Sequence, residues 1–236
     1  MSARSLRAGV LAAGRGERLR SFPTDLKPLV RVGGATLIEG VLHSMEEAGA
    51  TEVVVIINED SEAVRDHVVN RTWPFALRWI VETTATSMHS FLRLVETLAA
   101  DGSDGPFLLS TVDTVAGPSA YADFFDRARR YNAAMTLALT SPGNDEKPLL
   151  VTTAQSRIER FGAGEYATAG VYAVRPIILR EAEAARRDGL EALRMFLARL
   201  LERGYRLTGI PIARAIDVDR PADIAEAEDL LRSAGK

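Results

Sequence analysis

The chain has 236 residues, 47% of them hydrophobic, enough to bury the core of one large α/β domain or two small ones. It carries 29 basic against 32 acidic side chains for a net charge of −3, so the basic excess of a protein that wraps nucleic acid is missing. No cysteine is present, which excludes disulfides, thiolate nucleophiles and Cys-based zinc sites. The three histidines, His43, His67 and His89, form neither HExxH nor HxxxH. A metal is therefore expected on oxygen ligands, which favours Mg²⁺, with Mn²⁺ as its substitute.

Arg7–Ala12 reads as a buried first strand. The apolar run from Ala8 to Ala13 is too short to span a membrane and stops at Gly14-Arg15-Gly16, so neither a signal peptide nor a membrane segment is expected and the protein should be cytoplasmic. Leu37–Ala48 has the helical spacing Leu37, Val41, Leu42, Met45 and closes at Gly49. Glu52–Ile57 is a β-branched strand, followed by a helix over Ser61–Val69 with Ser61 as its cap. Strands over Leu77–Val81 and Pro106–Ser110 bracket a helix over Ser87–Ala99. A helix over Ser119–Tyr131 and a strand over Ala134–Thr140 follow.

The second half reads as shorter strands, Leu149–Thr153, Arg157–Phe161, Gly170–Val174 and Leu207–Pro211, with helices over Arg180–Ala185, Leu190–Arg203 and Pro221–Arg232. Alternating strands and helices without a repeat or long linker predict one α/β domain across residues 1–236.

The chemistry concentrates in Leu11-Ala12-Ala13-Gly14-Arg15-Gly16-Glu17-Arg18-Leu19, followed by Lys27-Pro28-Leu29. A strand that ends in small residues lets backbone N–H groups approach an anion, and Arg15, Arg18 and Lys27 add positive charge beside it. The loop is not a Walker A sequence, and Leu19 stands where a dinucleotide fingerprint needs its third glycine. Asp113 follows a buried strand, where open α/β sheets place ligands. Asp217 and Asp219 precede the last helix, where Asp219 could equally cap the helix that Pro221 opens.

Leu11–Leu19 with Lys27-Pro28-Leu29 resembles the signature of the nucleoside-triphosphate transferase family, the sugar-1-phosphate nucleotidylyltransferases and their cytidylyltransferase relatives. Val32–Ile38 and Glu46–Val55 are similar to the family's next segments, and the likeness reaches the last helix. The resemblance implies a GT-A-like, Rossmann-like α/β/α sandwich with a mostly parallel central sheet. It also implies transfer of a nucleoside monophosphate from an NTP to a sugar-1-phosphate or small phosphorylated alcohol, with release of pyrophosphate. Arg18 and Lys27 would be catalytic and would contact the phosphates. Leu11, Ala12, Ala13, Gly14, Arg15, Gly16, Glu82, Thr83 and Ser87 would surround the nucleotide. Asp113 would bind the metal with Asp217 or Asp219. Lys147, Glu165, Thr168 and Gly170 would face the acceptor.

Thr84-Ala85-Thr86-Ser87-Met88 stands where sugar-nucleotide members carry a Gly-Thr pattern, which leans toward CTP and a phosphorylated alcohol. No Lys-Pro follows the Arg157–Phe161 strand, unlike sugar-specific members. Trp73 and Trp79 are expected to pack in the core rather than to form a cage for a quaternary ammonium group. A GT-A glycosyltransferase, for which Asp217-Val218-Asp219 is a formal DxD, and a molybdopterin-type guanylyltransferase are the alternatives. Neither nucleic acid nor membrane is expected as a partner, and the sequence is compatible with an oligomer.

Overall fold

The computed structural model of the chain describes residues 5–14, 26–143 and 147–234. The first apolar run forms β1 (Leu6–Leu11), and the 3₁₀ turn Lys27–Leu29 then leads into a hairpin of β2 (Arg31–Val32) and β3 (Ala35–Thr36). Gly33 and Gly34 make its corner at φ of 60° and 90°, the left-handed backbone that a two-residue hairpin turn needs. Thr36 closes the hairpin and opens α1 (Leu37–Glu47) with a reciprocal cap, its backbone N–H donating to Glu39 Oε2 at 2.8 Å. The fully buried Glu39 also takes His67 at 2.8 Å and Arg71 at 2.9 Å, which ties the start of α1 to the next helix.

The chain continues through β4 (Ala50–Ile57), α2 (Glu62–Val69), β5 (Ala76–Val81), α3 (Ser87–Leu98) and β6 (Phe107–Thr111). These strands build a parallel half-sheet in the order β5-β4-β1-β6, each reached through a helical crossover or long connection. Next come β7 (Thr114–Ala116), α4 (Ala120–Ala128), β8 (Met135–Thr140), β9 (Leu150–Ala154), β10 (Arg157–Phe161) and β11 (Tyr166–Val174). The chain closes with α5 (Ala182–Arg187), α6 (Leu193–Glu202), β12 (Leu207–Pro211), β13 (Ala215–Asp217) and α7 (Pro221–Ala234).

The nine-stranded sheet is mixed, which corrects the expectation of a mostly parallel one. β11 runs antiparallel between β6 and β8, and β9 and β10 form an antiparallel hairpin whose first strand also pairs with β11. The reason is connection length: Gln155 and Ser156, at φ of 48° and 66°, join β9 to β10 in a turn too tight for a parallel crossover.

Strand alternation sends two sets of side chains to opposite faces. Leu6, Ala8 and Val10 of β1 and Val53, Val55 and Ile57 of β4 pack with α1, α2 and α4. Val54 and Ile56 of β4 and Leu109 of β6 pack with α3, α5 and α6. α3 lies so close to β1 that a Cβ on Gly9 would stand 2.8 Å from Leu94. A third, smaller cluster of Val30, Val32, Leu37, Ile216, Val218 and Ala227 packs α7 against the β2–β3 hairpin. The α/β/α layering is therefore present around a mixed sheet. Among the described residues, no helix is long and apolar enough to cross a membrane.

Several boundaries differ from the sequence reading. Pro176–Glu181 is a 3₁₀ segment before α5, and α6 begins at Leu193 rather than Leu190. Ser61 precedes α2 but makes no side-chain cap. The strand expected from Gly170 starts at Tyr166, because a register shift between Thr168 and Tyr172 interrupts its pattern.

Candidate active site

The carboxyl ends of β4, β1 and β6 are tied together by backbone and side-chain bonds. Ala12 N–H donates to Ile56 at 2.9 Å, Val112 N–H donates to Leu11 at 3.1 Å, and the Asn58 amide donates to the Ala13 carbonyl at 2.8 Å. β1 is joined onward to β4 on one side while β6 lies on its other side, so their ends flank a topological switch point, where open α/β sheets take ligands. Ala12 is a core residue, Leu11 and Ala13 are half-buried, and Gly14 is exposed at the rim. Arg15, Gly16 and Arg18 lie outside the described residues.

Lys27 reaches the same place from its turn, whose backbone is fixed by Leu29 N–H to Leu26, Val30 N–H to Lys27 and the buried Pro28. Its ammonium donates to Asp113 Oδ2 and to Asp219 Oδ1, each at 2.5 Å, with the Lys27 side chain only 11% exposed. Burial works against the lysine's charge, and the two carboxylates overcome it, so its pKa is raised. Burial alone would likewise raise Asp113, but the Lys27 charge and hydrogen bonds hold that carboxyl below its usual range.

Asp217 stands beside them because β13 pairs antiparallel with β7, which sets Asp217 opposite Thr114. Thr114 Oγ1 donates to Asp217 Oδ1 at 3.1 Å, and Val218 N–H donates to the Asp113 carbonyl at 3.0 Å. Burial first and the neighbouring Asp113 carboxylate second push Asp217 up to about 7. Thr114 shares a 2.8 Å hydrogen bond with Thr111, and both hydroxyls lie against Gly170, at φ of 68°, where a Cβ would overlap them.

Asp219 does not need to cap α7. Asp223 does that work, accepting from Asp219 N–H at 3.0 Å and Arg220 N–H at 2.7 Å, and Arg220 returns an ion pair to it at 3.0 Å. The Asp219 side chain is thereby left to meet Lys27. Among the described residues, no group of three or more His, Cys, Asp or Glu side chains is arranged to hold a metal ion. The arrangement is instead two neighbouring carboxylates, Asp113 and Asp217, with a lysine bridging to a third. That set fits Mg²⁺, which prefers one or two carboxylates and takes its other ligands from phosphate and water.

Glu82 and Thr83 follow β5 on the other side of β1. Glu82 pairs with Arg93 at 2.9 Å, and the Thr83 hydroxyl accepts from Glu59 N–H at 3.3 Å. Thr86, not Ser87, caps α3; Ser87 Oγ accepts instead from Leu193 N–H at 3.3 Å, joining α3 to the start of α6.

Beside the carboxylates, a cleft of about 70 Å³ is lined by Thr140, Thr168, Arg214, Asp217, Asp219 and Arg220 among others, all aliphatic, hydroxyl or charged. Thr168 is in that lining, Gly170 lies behind it against the two threonines, and Lys147 and Glu165 are exposed outside it. The Lys147 carbonyl accepts from Arg194 of α6 at 3.3 Å. Trp73 stacks on Phe75 with centroids 5.6 Å apart, and Trp73 and Trp79 both pack against the core, away from the cleft. Thr114, Arg214, Arg220 and Asp223 escaped the sequence reading; the spacing of Asp223 three residues after Arg220 is the one signal that could have marked it as a cap.

This architecture, with Lys27 and a group of carboxylates at the strand ends, is that of a nucleotidyltransferase-type α/β domain. Residues 8–200 match the family model described as the MobA-like NTP transferase domain, and the chain belongs to that family. Mannose-1-phosphate guanyltransferase of Emericella nidulans is 25% identical over 190 residues, covering 75% of this chain and 52% of that protein. Bifunctional protein GlmU of Enterococcus faecalis is 31% identical over 137 residues, covering 58% of this chain and 28% of that protein. The chain thus spans about half the length, or less, of the curated relatives it matches. Among solved structures, the inositol-1-phosphate CTP transferase from T. maritima superposes with a TM-score of 0.79 at 21% identity, covering 98% of this chain and 97% of that one. A UDP-glucose pyrophosphorylase complexed with UDP-glucose gives 0.73 at 14% identity, covering 95% and 97%. At those identities the likeness establishes the fold.

Proposed function

We propose that the chain is a Mg²⁺-dependent nucleotidyltransferase that moves a nucleoside monophosphate from an NTP to a small phosphorylated acceptor. The observation that carries this reading is Lys27 held between Asp113 and Asp219 at the carboxyl ends of the parallel strands, beside Asp217. An acceptor phosphate oxygen attacks the α-phosphorus in line; the new P–O bond forms as the bond to the β-phosphate oxygen breaks, and pyrophosphate leaves. The acceptor is already an anion, so no general base and no covalent intermediate are required.

Asp113 and Asp217 would hold the metal, and Arg18 and Lys27 would supply positive charge to the phosphates. Bound Mg²⁺ neutralises phosphate charge and orients the triphosphate. Asp217 is preferred over Asp219 as the second ligand, because its carboxylate stands beside Asp113 while Asp219 faces the lysine. Strand ends and the α3 start, with Glu82, Thr83 and Ser87, would flank the base and ribose.

The acceptor reading rests on the cleft and on the relatives. Hydroxyl and charged side chains without an aromatic ring suit a phosphorylated polyol better than a quaternary ammonium alcohol. The relatives are named for mannose-1-phosphate and inositol-1-phosphate. CTP is the preferred nucleotide on the Thr84–Met88 segment.

Pyrophosphate release with Mg²⁺, tested with CTP, UTP, GTP, ATP and dTTP against pooled sugar-1-phosphates, inositol-1-phosphate and phosphocholine, examines all of this at once. Release that requires one nucleotide and one polyol phosphate supports the reading. Silence across all pools, with hydrolysis of a nucleotide-sugar instead, replaces it with a glycosyltransferase.

A further inference from the structure

Lys27 is placed as if it were a ligand-site cation. Its ammonium sits within 2.5 Å of an oxygen of both Asp113 and Asp219, in a pocket that leaves only 11% of its side chain exposed. The backbone that bears it is fixed by the Lys27–Leu29 turn, so the side chain can swing while its root stays in place. The carboxylates it neutralises include Asp113, which the proposed reaction assigns to the metal. A dication entering this cluster meets a positive charge already bonded to one of its own ligands, and the two cations repel. A triphosphate changes the balance, because its oxygens offer the ammonium acceptors equivalent to the carboxylates it leaves.

We infer that Lys27 is a resident counter-ion that occupies the carboxylate cluster in the nucleotide-free protein and passes to the phosphates when nucleotide arrives. The inference rests on the nucleotidyltransferase reading for the identity of the incoming anion, and it goes beyond that reading in two ways. It makes weak binding of metal in the absence of nucleotide a property of this lysine. It also gives Lys27 a structural task whenever no nucleotide is bound, because its removal leaves Asp113, Asp217 and Asp219 together with one positive charge fewer.

The test uses Mn²⁺ alone as the probe, with the nucleotide-free protein, in wild type, Lys27→Met and Lys27→Arg; Lys27→Gln is the second neutral variant should Lys27→Met not fold. Free Mn²⁺ is counted by electron paramagnetic resonance, and thermal unfolding is followed with and without the ion. The neutral variants are expected to bind Mn²⁺ at least tenfold more tightly than wild type and to melt lower without metal. They should also gain more from Mn²⁺, while Lys27→Arg behaves as wild type. Equal or weaker Mn²⁺ binding by the neutral variants overturns the inference, whether or not wild type releases pyrophosphate. Tighter binding in the neutral variants, with no pyrophosphate release from any nucleotide by wild type, sustains the counter-ion and removes the enzymatic reading instead.

Discussion

Gly170 backs directly onto Thr114: a Cβ added to it would overlap the hydroxyl that donates to Asp217. The same position has a φ of 68°, which an L side chain adopts only with strain. Gly170→Ala should therefore lose roughly 2–3 kcal/mol of stability, the sum of strain and overpacking. Gly162, at φ of 89° with open space around it, is the control; Gly162→Ala should lose only about 1 kcal/mol. Urea unfolding of both variants checks the difference. Equal losses would show that the Thr114 contact contributes nothing.

Lys27 and Asp113 are expected to matter for turnover far more than for fold. Each of Lys27→Ala and Asp113→Ala should lower kcat by about 100-fold or more, the scale for removing a group aimed at developing charge. Steady-state pyrophosphate release gives the rate, and circular dichroism the fold. Near-normal rates in both variants would mean the reaction happens elsewhere.

Asp217 sets a pH dependence in the metal-free protein. Its folded pKa is about 7, raised above the ordinary carboxylate value. A raised value means that its contribution to stability is fully present below the unfolded pKa and is lost as pH climbs through about 7. Asp217→Asn should leave stability nearly unchanged at pH 4 and raise it at pH 8, by on the order of 1–2 kcal/mol after allowing for solvent screening of a half-buried group. Mg²⁺ should stabilise wild type at pH 8 more than it stabilises this variant. Melting temperatures at the two pH values, with and without Mg²⁺, decide the point.

Asp223 holds the loop that presents Asp219. Asp223→Ala removes the acceptor for the Asp219 and Arg220 amides and should lose about 1–2 kcal/mol, the cost of a lost helix cap. Turnover should fall as well, because Asp219 is no longer fixed opposite Lys27. Stability loss with unchanged kcat would separate the cap from the site.

Much of this was readable in the residues, and the rest was hidden for identifiable reasons. The β-branched run of β4 and the small-residue end of β1 announce buried parallel strands, and the Lys27-Pro28 and Asp113 positions stand out by motif. Strand direction is not written in hydrophobic pattern, so the antiparallel β11 and the β9–β10 hairpin went unread and the sheet was expected to be more parallel than it is. β7 and β13 are three residues each, too short for any period to show, yet their pairing brings Thr114 to Asp217. The choice between Asp217 and Asp219 likewise depends on which neighbour each meets. The α3 cap is also a matter of contact: the Thr86 hydroxyl, one residue before the expected start, meets the His89 amide.

The β7–β13 ribbon also bears on how the protein is made. Asp113 and Asp217 belong to segments about a hundred residues apart, joined only when the last strand pairs. A ribosome exposes the glycine loop, Lys27 and Asp113 well before it exposes Asp217. A chain interrupted after β12 would therefore hold Lys27 and Asp113 without the strand that brings Asp217 beside them. Pairing of this ribbon is thus a late, long-range event in folding, and the Thr114–Asp217 contact waits on it.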